Sequence, residues 1–465
     1  MKNRFRDELR PMLRLSVPIV MAEIGWMSMN VVDTIMLGRL PNSAVAIGAA
    51  SLGSSLYYTV SIFGGGLLLG LDTLVSQAYG RKDFPDANRS LINSIYLALA
   101  LTPVMMAVVW LWPSLMRELG VQPEILSGMV PFLNALNWGT LPLLLYFALR
   151  RYLQAVNTVK PVTFALVSSN IINALFNWIF IYGHWGFRAY GIPGSGWSTC
   201  MARIYMALVL LAALVIGNHK YRFGLWQTSW RLEFRRIQNL LALGFPAASQ
   251  ILFEIGVFSA VTAFCAKLGA LPLAGHQIAL NCAAFTFMVP LGMSSAAAVR
   301  VGNELGRSQR ATTALERVDA LYSARRAGWM AILLGVGFMG CAAVVFLMVP
   351  RGLARIFTPN PAVIEMGAKL LLIAAAFQLF DGLQTVCTGA LRGAGDTRTP
   401  MLANLIAYWL IGLPLGWVLC FKFGWGAQGL WIGLCLGLIL IGTFLLWVWN
   451  GRIRTAPVME HAVAH

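Results

Sequence analysis

A chain of 465 residues that is 58% hydrophobic and 11% charged falls outside the water-soluble class, where charged residues make up about 25%. Its net charge of +17 would suggest nucleic acid in a soluble protein, but the positive residues cluster between apolar stretches and exclude that reading. None of those stretches alternates with a two-residue period, which excludes a β-barrel.

The charged opening MKNRFRDELR runs straight into an apolar segment, with no cleavable signal peptide. From there twelve stretches reach the roughly 20 residues a spanning helix needs. They cover 11–37, 45–71, 91–113, 127–149, 161–182 and 192–216, then 239–264, 274–300, 325–349, 366–391, 400–423 and 428–449. The expected fold is therefore an all-α membrane protein of 12 transmembrane helices. Counting connections alternately from the N-terminus, one side carries 26 Lys and Arg and the other 8. The positive-inside rule puts the richer side, with both termini, in the cytoplasm.

The longest basic connection, NHKYRFGLWQTSWRLEFRRIQNL, divides the spans six and six. An even number per half allows the halves to be parallel repeats, and the sequence echoes itself in that way. EIG recurs with Glu23 and Glu254 231 residues apart, and Pro41 and Pro272 keep the same spacing. QAYGRKD after span two answers NELGRSQ after span eight. The domains expected are an N-terminal lobe over 1–218, a linker over 219–238, a C-terminal lobe over 239–450 and a tail over 451–465. Such repeats form two lobes around a central site. No GxxxxGK[ST] occurs, so ATP is not the direct energy source. The seven cysteines lie in apolar spans without a CxxC and read as small apolar fillers.

Four acids lie inside the apolar runs: Glu23, Asp33, Glu254 and Asp381. A charge at the bilayer centre costs roughly 3 kcal/mol even on the gentlest scale, so such residues mark function. Asp381 has Gln378 and Gln384 three residues to either side, on one helix face. A carboxylate among amides suits dehydrated Na⁺ and equally suits a proton carrier. Glu254 follows Gln250 by one turn and has Phe253, Phe258 and Phe264 near it, which suits a lipophilic cation. Asp33 follows Asn30 by one turn. Glu23 lies ten residues earlier, some 15 Å along the helix, and functional and structural roles stand equal for it. Asp72 and Glu304, near Arg81 and Arg307, read as salt bridges at span ends. His276 is a structural histidine or a proton relay. Asn170, Asn173 and Asn177 form a stripe that bonds neighbouring helices or lines a cavity.

The segments VVDTIMLGRL, LDTLVSQAYGR, GFPAASQILFEIGVFSAV, LAGHQIALN, VRVGNELGR and FQLFDGLQTVCTGALRGAGDTRTPM resemble the multidrug and toxic compound extrusion (MATE) transporters, in particular their NorM-like branch. The resemblance covers nearly the whole chain. It implies two six-helix lobes and export of cationic amphipathic drugs in exchange for Na⁺ or H⁺. It places the span-seven glutamate at Glu254, the span-ten aspartate at Asp381 and the span-one aspartate at Asp33. Glu254 and Asp381 would then hold Na⁺ if sodium is the coupling ion, with no other cofactor. In another branch a second N-lobe acid stands on span five, where this chain has Asn177; an N-lobe site of two carboxylates would need Glu23 as a substitute. The partners implied are small cationic drug-like substrates and membrane lipid, not nucleic acid, and a monomer is the simplest expectation. The place implied is a bacterial cytoplasmic (inner) membrane. The rivals are a lipid-precursor flippase, which would need basic residues in its cavity where this chain has acids and Arg203, and a membrane-embedded enzyme, for which no DDxxD or nucleophile–base pair is present.

Overall fold

The computed structural model describes residues 2–221 and 224–452. Arg222 and Phe223 of the basic connection and residues 453–465 of the expected tail lie outside the described residues. Among those described there is no strand. The helices are α1 (Lys2–Leu37), α2 (Ser43–Leu67), α3 (Gly70–Arg81), α4 (Phe84–Glu118), α5 (Pro123–Asn137), α6 (Thr140–Ala155), α7 (Lys160–Tyr182) and α8 (Ile192–Tyr221). They continue with α9 (Phe234–Leu268), α10 (Ala270–Arg310), α11 (Ala314–Met348), α12 (Pro350–Arg355), α13 (Pro361–Gly393), α14 (Arg398–Asn404), α15 (Leu413–Trp417) and α16 (Gly426–Arg452). Eleven helical segments are long and apolar enough to cross a membrane on their own, and α5 with α6, bent by 48°, makes a twelfth. The protein is a multi-pass all-α membrane protein with the twelve spans read from the sequence.

Helix boundaries follow local chemistry. Asp83 caps α4 by accepting from the Asp86 amide at 3.0 Å, with Pro85 in the first turn. Thr313 accepts from the Glu316 amide at 3.2 Å while Glu316 reaches back to the Thr312 amide at 3.1 Å. Gly183 ends α7 at φ +79°, where a Cβ would stand 2.5 Å from the Ala189 nitrogen; glycine alone fits such a turn. Span eleven differs from the rest. Two π-helical stretches, Leu405–Gly412 and Val418–Lys422, flank α15. Pro414, which cannot donate to the preceding turn, lies between them. π-Turns of this kind recur at functional sites.

The chain forms two compact units. One comprises the described residues up to Val20, Gly80–Lys82 and the chain from Ser249 onward; the other comprises Met21–Tyr79 and Asp83–Ala248. Within the second, α2 packs on α4 and α5, and α7 packs on α8. Within the first, α10 packs on α11 and α13, and the segments around α15 pack on α16. Span two thus meets spans three and four as span eight meets spans nine and ten. Span five meets six as eleven meets twelve. The same pairings recur six spans later, the structural counterpart of the repeat in sequence. Close approach is bought by small residues: a Cβ on Gly433 would lie 2.5 Å from the Gly412 carbonyl oxygen.

Candidate functional site

In the unit from Ser249 onward, α9 supplies Glu254 and α13 supplies Gln378, Asp381 and Gln384. The three-residue spacing on α13 turns its polar side chains to one face. Gln384 Nε2 donates to Glu254 Oε1 at 3.0 Å, and Gln378 Nε2 donates to Thr286 Oγ1 of α10 at 2.5 Å. Asp381 is 4% exposed and makes no hydrogen bond or ion pair among the described residues. Glu254 and Asp381 lie within electrostatic reach of each other, and Tyr408, in the first π-helical stretch, lies within reach of both. Three oxygens around the pair, Gln378 Oε1, Gln384 Oε1 and Tyr408 Oη, are buried without a hydrogen-bond partner among the described residues. Two carboxylates and several free oxygens, with no base paired to them among the described residues, form a donor set for a hard cation. The ring of Phe258 stands edge-on to Phe377 at 5.9 Å and to Tyr408 at 6.3 Å. Trp409 Nε1 donates to the Phe253 carbonyl at 3.0 Å, next to Glu254. Gly256 leaves room for that indole, since a Cβ there would lie 2.9 Å from it.

Two expected neighbours stand apart from this chemistry. Gln250 is buried one turn before Glu254 and makes no hydrogen bond among the described residues. His276 is fully buried; its Nδ1 accepts from Trp431 Nε1 at 3.1 Å, and its Nε2 meets Thr262 Oγ1 at 2.8 Å. Indole nitrogen only donates, so the imidazole hydrogen belongs on Nε2. Thr262 passes its own hydrogen to the Phe258 carbonyl at 2.9 Å. Both ring nitrogens are satisfied, which is how a structural histidine is held.

In the unit from Met21 to Ala248, Asp33 is half-buried on α1. Asn177 Nδ2 donates to its Oδ1 at 2.6 Å and Thr199 Oγ1 to its Oδ2 at 3.2 Å. Asn177 also donates to Asn173 Oδ1 at 3.1 Å, and Tyr58 donates to Asn30 at 3.0 Å. The asparagine stripe therefore splits: Asn173 and Asn177 join the Asp33 cluster, whereas Asn170 ties α7 to the Gly25 carbonyl at 3.0 Å. Glu23 is buried in an ion pair with Arg150 of α6. Asp72 faces Arg151 at 3.4 Å. At the end of α10, Glu304 pairs with Arg307 at 3.0 Å, as the sequence suggests, and with Arg300 at 3.5 Å.

Four participants escaped the sequence reading. Arg150 lies at a span end and read as a loop base. Thr199, Thr286 and Tyr408 lie in apolar runs without polar periodicity. For Thr199 a signal existed, since it stands one turn before Arg203, a base at membrane depth.

Comparison with known proteins agrees with this architecture. The MatE family model matches residues 18–179 and 246–418. A probable multidrug resistance protein NorM of Mesorhizobium japonicum is 35% identical, over 98% of this chain and 96% of that protein. Its namesake in Brucella suis is 34% identical over 99% and 96%. Among solved structures, the eukaryotic MATE transporter AtDTX14 superposes with a TM-score of 0.84 at 20% identity, covering 97% of this chain and 98% of that one. An outward-facing multidrug resistance MATE family transporter superposes with a TM-score of 0.83 at 17% identity, over 96% of each chain. With family motifs in both halves and relatives matched end to end, the chain belongs to the MatE (MATE) family and is a membrane transporter rather than an enzyme.

Proposed function

We propose that this chain is a secondary multidrug efflux antiporter that exports cationic amphipathic compounds in exchange for Na⁺ or H⁺. The observation that carries the reading is that Glu254 and Asp381 lie within electrostatic reach of each other among buried oxygens that lack a hydrogen-bond partner, with no basic side chain paired to either among the described residues. Like charges facing each other in an apolar bundle are stabilised by a positive charge taken up between them. A small ion and a large organic cation can then compete for the same negative charge. Phe258, Phe377 and Tyr408 offer ring faces and edges to a lipophilic cation. The ion must bind one conformation better than the other, or it shifts nothing. In the proposed cycle the acids are reached from outside, take up the coupling ion and release substrate. They then turn to the cytoplasm, lose the ion and accept new substrate.

The proposed setting is the bacterial inner membrane, with both termini cytoplasmic, lobes over 1–218 and 239–450, and a monomer as the working unit. Names of relatives such as the Mesorhizobium protein support drug-like substrates.

The test is ethidium transport in inverted vesicles with Na⁺ and pH gradients imposed separately. One of the two gradients should drive uptake, and Asp381→Asn should abolish the driven component at unchanged protein level. Driven uptake by Asp381→Asn at the wild-type rate would overturn the assignment.

A further inference from the structure

The Met21–Ala248 unit holds a base that the exchange does not use. Arg203 is 1% exposed in the middle of α8. Its Nη1 donates to the Leu136 carbonyl at 3.3 Å, and its guanidinium carbon lies 4.6 Å from the centre of the Tyr57 ring. Nε and Nη2 are buried without an acceptor among the described residues. Gly139 makes the seat: a Cβ there would stand 3.0 Å from Nη1 and 3.1 Å from Cδ. Arginine keeps its charge in protein interiors, and a charge at membrane depth is retained where another answers it. Thr199, one turn earlier on α8, donates to Asp33 Oδ2 at 3.2 Å, so residue 203 lies on the helix face that meets Asp33. The two charges are within electrostatic reach without forming a direct ion pair.

We propose that Arg203 is a tethered cation that answers Asp33 in place of a diffusible monovalent one, which confines ion exchange to Glu254 and Asp381. The proposal rests on the antiport reading for its consequence, and it defines Asp33 as a fixed charge rather than a second exchange site. Position 203 then determines how many ions can be exchanged per cycle.

The test reads thermal unfolding of purified full-length protein in detergent at pH 8.5, where protons compete least. NaCl is compared with choline chloride at equal ionic strength. A Glu254→Gln/Asp381→Asn background removes the other site. That parent should melt alike in both salts. Adding Arg203→Gln should lower the melting temperature in choline and restore several degrees in Na⁺. Adding Asp33→Asn as well should remove the Na⁺ dependence and recover most of the loss, while Arg203→Lys should resemble the parent. Losses from Asp33→Asn and Arg203→Gln that merely add, or an Arg203→Gln protein indifferent to Na⁺, would overturn the proposal. If Arg203→Gln fails to accumulate, the Asp33→Asn/Arg203→Gln pair decides: accumulation at the parent level supports charge compensation, and failure overturns it. Because melting does not depend on transport, a negative dye assay with a positive melting result sinks the antiport reading alone.

Discussion

The two halves of this chain treat acids at membrane depth in opposite ways. In the Met21–Ala248 unit the two acids inside the spans each have a base near them: Glu23 meets Arg150, and Asp33 lies within reach of Arg203. In the unit from Ser249 onward, Glu254 accepts from the Gln384 amide, and Glu254, Asp381 and Tyr408 lie within electrostatic reach of one another. Glu23 and Glu254 are repeat counterparts 231 residues apart, and they differ in what surrounds them: Arg150 beside the one, the Gln384 amide beside the other. A fixed base makes an acid a structural element, because separating the pair leaves a buried charge unanswered. An acid pair without one remains able to take a cation from solution.

Mutations at the two places should therefore fail in different ways. Glu254→Gln should bring ion-driven ethidium transport down to the background of empty vesicles, while the melting temperature stays level or rises. A parallel fall in stability would show that Glu254 is a packing residue and break the comparison. Arg150→Ala should do the reverse and destabilise the protein by about 3–5 kcal/mol, since it strands Glu23. Replacing both partners, as in Glu23→Gln/Arg150→Met, should recover most of that loss in a melting experiment. Recovery would mark Glu23 as structural. A Gln384→Ala change is smaller: it removes the amide that donates to Glu254. A hydrogen bond to a charged group contributes about 1.5–3 kcal/mol. The half-saturating concentration of the coupling ion should change by tenfold or more on that basis, with maximal transport little altered. An unchanged ion dependence would place the amide outside the site.

Much of this was legible in the residues. Span count and the repeat follow from apolar length and from the echoes between the halves, because a bilayer leaves few alternatives for the backbone. Glu254, Asp381, Gln378 and Gln384 were legible as well, since polar side chains in apolar helices stand out and their spacing gives a common face. The partners were harder. Arg150 looked like a loop residue because span edges are uncertain by several positions, and half a turn decides whether a base points to water or to Glu23. Tyr408 was hidden for another reason. The π-helical winding of Leu405–Gly412 changes which side chains share a face, and neither a 3.6-residue period nor Pro414 announces it.

Tyr408 therefore offers the smallest of the expected effects and a discriminating one. Tyr408→Phe keeps the ring, and with it the edge contact to Phe258 at 6.3 Å. It removes an oxygen that is buried without a partner among the described residues. Were the hydroxyl part of the packing alone, its loss would be neutral or stabilising, because an unsatisfied buried polar group costs about 1–3 kcal/mol. Were it a contact to the coupling ion or to an ion-bearing carboxylate, its loss would weaken ion binding by about 0.5–1.5 kcal/mol, the net value of one ordinary hydrogen bond. The half-saturating ion concentration would then rise by about two- to tenfold. The expectation is both at once: a melting temperature that holds or rises and an ion affinity that falls. That opposite movement separates a group poised for an ion from one that holds helices together. A melting temperature that drops with the affinity would move Tyr408, and with it the π-helical segment, from the exchange site to the scaffold.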